Sequence, residues 1–400
     1  MTASPRNGTA DAAALAMSAP ESVAAQGLEQ VVLVLQGGGA LGAYQGGVYQ
    51  ALDEAGIAPT WLIGTSIGAI NAAIIAGNRP EHRLQRLQAF WARVRLDGAG
   101  PLLSLIPGLG QQIANGLTLV QGVSGFFRPN PVAQLAVGPL ASLAPPLSPT
   151  TAGYYSTAPL AETLAGLIDL DLLAARDVRL TIGAANVRTG EMTYFDSRRE
   201  PLSIRHILAS GALPPAFPAV EIDGQLYWDG GIISNTPVEA VFDDHPRRSS
   251  LVFAVHMWRP SGPDPDTMVR VLSRQKDLQY MSRATTHIAR QKQLHRLRHV
   301  VAELVKLLPE AARESPQARL LADFACTTRM HVVRLVAPPL AGEDHSKDID
   351  FSTEGIRQRW EAGYRDASRV IAQRPWTHEV DPLEGLILHE TEAGELVSDS

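Results

Sequence analysis

The sequence predicts a three-layer α/β/α protein with a mostly parallel central sheet, followed by a helical C-terminal extension. Three observations carry this expectation. Val31–Leu35 is an unbroken run of valine and leucine, the composition of a strand buried on both faces inside a parallel sheet. A glycine-rich turn follows, and then Ala43–Ala55, which reads as a helix stopped by Gly56. The pattern then repeats, with Trp61–Ile63 as a short strand and Ile67–Ala76 as a helix capped at Gly77-Asn78. Two successive units of strand, turn and helix indicate a layered α/β structure.

The rest of the chain is read in order. Residues 1–27 are rich in alanine and serine, without the basic start and continuous apolar centre of a secretory signal; they are expected to be a disordered lead. Residues 98–150 combine many prolines and glycines with apolar side chains. They read either as the lining of an apolar cleft or as a packed insertion. Leu160–Leu167 reads as a helix, 178–187 as a core strand with 190–197 as its hairpin arm, Ile204–Ser210 as a short helix, and 250–258 as another core strand. Residues 259–266 read as a linker, 267–308 as one or two long helices, 330–338 as a strand and 353–373 as a helix. The expected organisation is a lead (1–27), a catalytic domain (28–260), a mainly helical extension (261–377) and an acidic tail (378–400).

Composition narrows the function classes. The 400 residues are 45% apolar and 19% charged, with a net charge of -6, which gives no electrostatic reason to expect a nucleic-acid partner. The single cysteine, Cys326, precludes an intramolecular disulfide and favours a reducing, cytoplasmic setting. The longest weakly polar run, Trp61–Gly77, has 17 residues; as a helix it would extend about 25 Å, short of the roughly 30 Å of a bilayer core. From Arg270 to Arg298 eight basic residues face one acid, with apolar residues near helical spacing. This stretch reads as a helix packed on the core with a solvated basic side, or as a peripheral membrane contact.

The chemistry rests on three short stretches. In "LQGGGALGAY", Gly37, Gly39 and Gly42 fit the G-x-G-x-x-G pattern of a dinucleotide loop. Such a site needs an acid about 20 residues on, at the end of the second strand. Here that strand ends in Gly64-Thr65-Ser66, while Asp53 and Glu54 come too early, within the first helix. "GTSIG", Gly64–Gly68, fits G-x-S-x-G between a strand and a helix, the setting of a nucleophile elbow at Ser66. A serine nucleophile needs a base. His206, His256, His287, His295 and His299 occupy no loop of triad-like context, and His256 reads as a core histidine. Asp229, in "YWDGGIISNTP", is the other candidate; by itself the stretch also reads as a plain turn. Asp348 and Asp350 lack metal-site spacing and read as solvated loop carboxylates, so no metal is expected.

In this order, the glycine loop, the G-x-S-x-G and the D-G-G resemble the patatin-like phospholipase family over roughly Leu33–Val241. The resemblance implies a patatin-like fold and a Ser–Asp dyad that cleaves acyl esters without histidine or cofactor. It assigns Ser66 as nucleophile, Asp229 as general base and the Gly37, Gly38 and Gly39 amides as oxyanion donors. Gly42, Gly64, Gly68, Gly230 and Gly231 complete the motifs. It implies hydrolysis of carboxylic esters of lipids, with another apolar ester, a hydroxyalkanoate polyester or a thioester, as the alternative. A catalytically silent scaffold is the remaining reading, against which the intact Ser66 and Asp229 argue. One departure is Leu41, where the family often carries a basic residue; this weakens the expectation of an anionic head group and leaves the dyad intact.

Overall fold

The computed structural model describes residues 18–96, 121–132, 146–340, 343–392 and 395–398. Its centre is a ten-stranded sheet. The strands are β1 (Gln30–Leu35), β2 (Trp61–Thr65), β5 (Arg179–Asn186), β6 (Met192–Asp196), β7 (Val220–Ile222), β8 (Gln225–Asp229), β9 (Ser250–His256), β10 (Met330–Val336), β11 (Leu386–Glu392) and β12 (Glu395–Ser398). Two short strands, β3 (Arg128–Pro129) and β4 (Tyr155–Ser156), form a separate ribbon. The order is β12-β11-β10-β9-β1-β2-β5-β8-β7, with β6 also on β5. From β11 to β5 neighbouring strands run parallel; β6, β7, β8 and β12 add antiparallel edges.

Every residue of β1, β2 and β9 is buried, as continuous apolar strands require. Alternation then divides β1 between two cores. Val31, Leu33 and Leu35 join one, and Val32 and Val34 join the other with Val238, Phe242 and Ile288. Helices therefore cover both faces. Four matter most for the site: α1 (Ala43–Glu54), α2 (Ile67–Ala76), α3 (Met268–Leu307) and α4 (Thr353–Gln373). All ten residues of α2 are buried, so it behaves as a core helix and not as a surface helix with one apolar stripe.

Register brings the motifs together. Leu35 of β1 pairs with Gly64 of β2, so the glycine loop and the G-x-S-x-G leave adjacent strands at the same level. Thr65 pairs with Gly183 of β5. The next residue, Ala184, pairs with Asp229 of the antiparallel β8. Asp229 thus reaches the same end of the sheet from the opposite chain direction.

The region after residue 260 is mainly helical, and it also joins the central sheet. β10 pairs with β9, and β11 pairs with β10, so this region supplies strands to the central sheet. Residues beyond His378, expected as an acidic tail, include β11, whose Leu386 and Ile387 are buried. Residues 267–308 hold one 40-residue helix, α3. Several of its cations are engaged internally: Arg270 with Asp266, Lys276 with Asp348, and Lys292 and Arg296 with Glu384. Asp350 is also unlike the expected solvated carboxylate. It is buried and bridges Arg359 at 3.2 Å. No helix of the described residues is long and apolar enough to cross a membrane.

Helix α4 is locked to α1 by backbone contact. A methyl group at Gly47 would overlap the Trp360 carbonyl, and one at Gly363 would overlap the Tyr44 carbonyl. Glycine is required because main chain meets main chain there. Gly47→Ala is expected to destabilise the protein by roughly 1–3 kcal/mol through overpacking, read as a lower urea midpoint. An unchanged midpoint would show that the interface yields freely.

Candidate active site

Ser66 links β2 to α2 with φ 57 and ψ -126. A positive φ at a non-glycine residue is strained and persists only where its surroundings enforce it. Two close approaches enforce it here. A methyl at Gly64 would overlap the Gly68 carbonyl, and a methyl at Gly68 would overlap the Leu35 carbonyl of β1. The spacing of glycines in G-x-S-x-G therefore records how tightly the first turn of α2 sits over β1 and β2. The Ser66 N–H donates to Ser210 Oγ (2.9 Å), whose hydroxyl donates to the Gly183 carbonyl (2.6 Å). Ser210 carries no motif, so sequence reasoning missed it.

Asp229 ends β8 with its side chain fully enclosed. Its carboxylate accepts from the Gly231 N–H (2.7 Å), and it lines the same cavity as Ser66. Burial pushes the Asp229 pKa up to about 7, opposed by the neighbouring Ser66 side chain and the Gly231 N–H. The flanking glycines are steric necessities. A Cβ at Gly230 would come within 2.6 Å of the Gly183 carbonyl, and one at Gly231 within 2.8 Å of Asn235 Oδ1.

The glycine loop lies against Ser66: a Cβ on Gly37 would be 3.0 Å from the Ser66 Cβ. One of its three expected donors is corrected. The Gly37 N–H donates to the Asn235 carbonyl (3.1 Å), which continues the strand-like pairing and takes that proton out of the site. The Gly37 carbonyl is held in turn by Asn235 Nδ2 (3.1 Å) and Trp258 Nε1 (2.8 Å). The N–H groups of Gly38 and Gly39 have no acceptor among the described residues. Gly39 adopts φ 56, and Gly42 packs on Ile67 of α2. Gln36, also missed from sequence, braces the loop base: its amide donates to Thr236 Oγ1 (2.7 Å) and accepts from the Met257 and Trp258 N–H groups.

These groups open into a cavity of about 170 Å³. Ser66, Asp229 and Gly37–Gly39 form its polar part; Ile70, Leu160, Phe126, Phe127, Phe217 and Phe351 are among its apolar lining. Phe126 packs edge-on against Phe127 and at a tilt against Phe351, centroids 5.8 Å and 5.5 Å apart. Phe126 and Phe127 come from the 98–150 segment, of which residues 98–120 and 133–145 lie outside the described residues. Phe217 and Phe351 are far off in sequence and carried no signal. Asp348, expected in solvent, lines the cavity, and its main-chain carbonyl faces Gly39. No histidine is among the described lining residues; His256 is fully buried in β9. Leu41 is buried beside Tyr44 and Met257, away from the cavity. No group of three or more metal-ligating side chains occurs among the described residues.

A family model described as patatin-like phospholipase matches residues 33–242, and a second, described as patatin phospholipase, matches 278–383. The first spans more than half of the chain, and the protein belongs to the patatin-like phospholipase family. Patatin-like phospholipase domain-containing protein 6 of Mus musculus and of Homo sapiens is 39% identical over 75 residues, 19% of this chain and 6% of those proteins. The matched stretch is thus a small part of those relatives' length. Among solved structures, VipD from Legionella pneumophila is 16% identical, with 86% of this chain and 67% of that chain covered and a TM-score of 0.37. The type III effector protein ExoU is 15% identical, with 86% and 53% covered and a TM-score of 0.29.

The buried carboxyl has a signature in stability. The unfolded chain ionises Asp229 near its ordinary 3.8, whereas the native state keeps the proton until about pH 7. Native Asp229 binds more protons across that window, so its contribution to stability falls as pH rises from about 4 to about 7. Wild type is expected to lose stability relative to Asp229→Asn over that range in urea titrations. Parallel pH profiles would refute the raised pKa.

Proposed function

We propose that this protein is a serine acyl hydrolase that cleaves carboxylic ester bonds of lipids through Ser66 and Asp229. The observation that carries the reading is Ser66, held on a strained positive-φ backbone, lining one largely apolar cavity with the buried Asp229. Asp229 takes the Ser66 proton as Oγ attacks the ester carbonyl. The C–O π pair moves onto the oxygen, which the Gly38 and Gly39 N–H groups stabilise with the positive end of α2. Collapse breaks the bond to the alcohol, which leaves with the proton held by Asp229. A water molecule then gives a proton to Asp229 as its oxygen attacks the acyl-serine; collapse breaks the Ser66 Oγ–acyl bond, Oγ takes the proton back from Asp229, and the acid is released. A carboxylate stripped of solvent is a stronger base than one in water, which is what a dyad without histidine needs. The aromatic wall suits an acyl chain, and membership of a phospholipase family supports lipids as the substrate class.

The first turns of α3 support a contact with lipid surfaces, since Met268, Val271 and Leu272 are exposed beside Arg270. Combined reversal at Arg270→Glu and at Arg290→Glu, an exposed arginine further along the same helix, is expected to lower co-sedimentation with anionic vesicles at least ~10-fold. Unchanged binding removes this contact.

On p-nitrophenyl esters of graded chain length, Ser66→Ala and Asp229→Asn are each expected to lose at least ~10³-fold in kcat. A fluorophosphonate should label wild type and not Ser66→Ala. The wild-type rate is expected to rise with pH through about 7, as Asp229 gives up its proton. If wild type is inert, or if the variants match it, the hydrolase reading fails.

A further inference from the structure

Helix α3, beyond the three motifs, sends Tyr280 into the cavity. The residue is fixed from several sides. Its ring packs on Trp258 with centroids 4.9 Å apart, and Trp258 Nε1 holds the Gly37 carbonyl. Its main-chain carbonyl accepts from Gln36 Nε2 (3.3 Å) and Asn235 Nδ2 (3.5 Å). Gln36 and Asn235 are the residues that brace the glycine loop, so Tyr280 and the loop are positioned as one unit.

The phenol hydroxyl has no acceptor among the described residues. Burial, then the negative charges of Asp229 and Asp348, push its pKa up to about 12. It stays a neutral donor at any working pH. Asn235, which holds the Tyr280 carbonyl, also packs at Gly231 beside the Asp229 carboxylate, so Tyr280 stands on the Asp229 side of the cavity that both residues line. That is the side from which a departing alcohol must collect its proton. The phenylalanines supply the apolar remainder.

We propose that Tyr280 builds the leaving-group side of this site, its O–H donating a hydrogen bond to the alkoxy oxygen of the bound ester. The proposal rests on the acyl-hydrolase reading. When the carbonyl carbon–alkoxy bond breaks, its electron pair goes to the alkoxy oxygen, and Asp229 supplies the proton taken from Ser66. Tyr280 keeps its own proton and stabilises the charge that develops before that transfer. The charge is large for alkyl and glyceryl alkoxides and small for p-nitrophenoxide, which leaves without help.

Tyr280→Phe keeps the ring and the main-chain contacts, and removes only the donor. Alkyl and p-nitrophenyl esters of one acyl chain are compared, together with fluorophosphonate labelling of Ser66. The alkyl ester is expected to lose about 10- to 100-fold in kcat/KM, the value of a hydrogen bond to a charged group. The p-nitrophenyl ester and the labelling rate should change by no more than about threefold on the same scale. Equal losses on both esters, or no loss on the alkyl ester, overturn the proposal while labelling continues. Wild type that neither labels nor hydrolyses either ester fails the acyl-hydrolase reading itself, and Tyr280 with it.

Discussion

The first turn of α2 sits so close to the ends of β1 and β2 that only glycine fits at residues 64 and 68, with the Gly68 Cα against the Leu35 carbonyl. The chain can make this approach only by turning sharply at Ser66, which is why that residue holds a positive φ. The rest of the site follows from the same crossing. The fully buried α2 aims its positive end at the hydroxyl. Gly42 packs on Ile67, so the helix that starts the elbow also sets the height of the glycine loop. Ser210 then ties the Ser66 amide to β5.

Electrostatics at Asp229 complete the arrangement. A buried carboxylate is usually paired with a cation, yet the groups that stabilise this one are a hydroxyl and an amide. Its proton affinity therefore rises towards neutrality, the range in which a carboxyl exchanges protons with little bias. Asp229 and Ser66 come to one cavity through sheet register: β2 is parallel to β5, β8 is antiparallel to it, and the two residues arrive from opposite chain directions.

The region after residue 260 illustrates how local reading falls short. Its strand and helix at 330–338 and 353–373 were legible from their apolar patterns, but their partners were not. β10 and β11 extend the central sheet beside β9, and α4 meets α1 at Gly46, Gly47 and Gly363. A glycine inside a helix reads locally as a weak helix former. Only the facing backbone explains it. The same holds for Asp348 and Asp350, which look like loop carboxylates in sequence and are drawn inward by Gly39 and Arg359.

What the sequence determined by itself was the layered α/β class and the three short motifs, because apolar runs and close-packed glycines are local requirements that leave local traces. The order of those motifs carries the family resemblance, and it is the resemblance that implies Ser66 and Asp229 as a pair. Tertiary structure decided the remainder. It withdrew the Gly37 N–H into a bond with Asn235, gathered Phe126, Phe217 and Phe351 into one apolar wall, and brought Tyr280 over the glycine loop. Each of these depends on pairing between segments tens to hundreds of residues apart, and such pairing is set by register and packing, which no local pattern encodes.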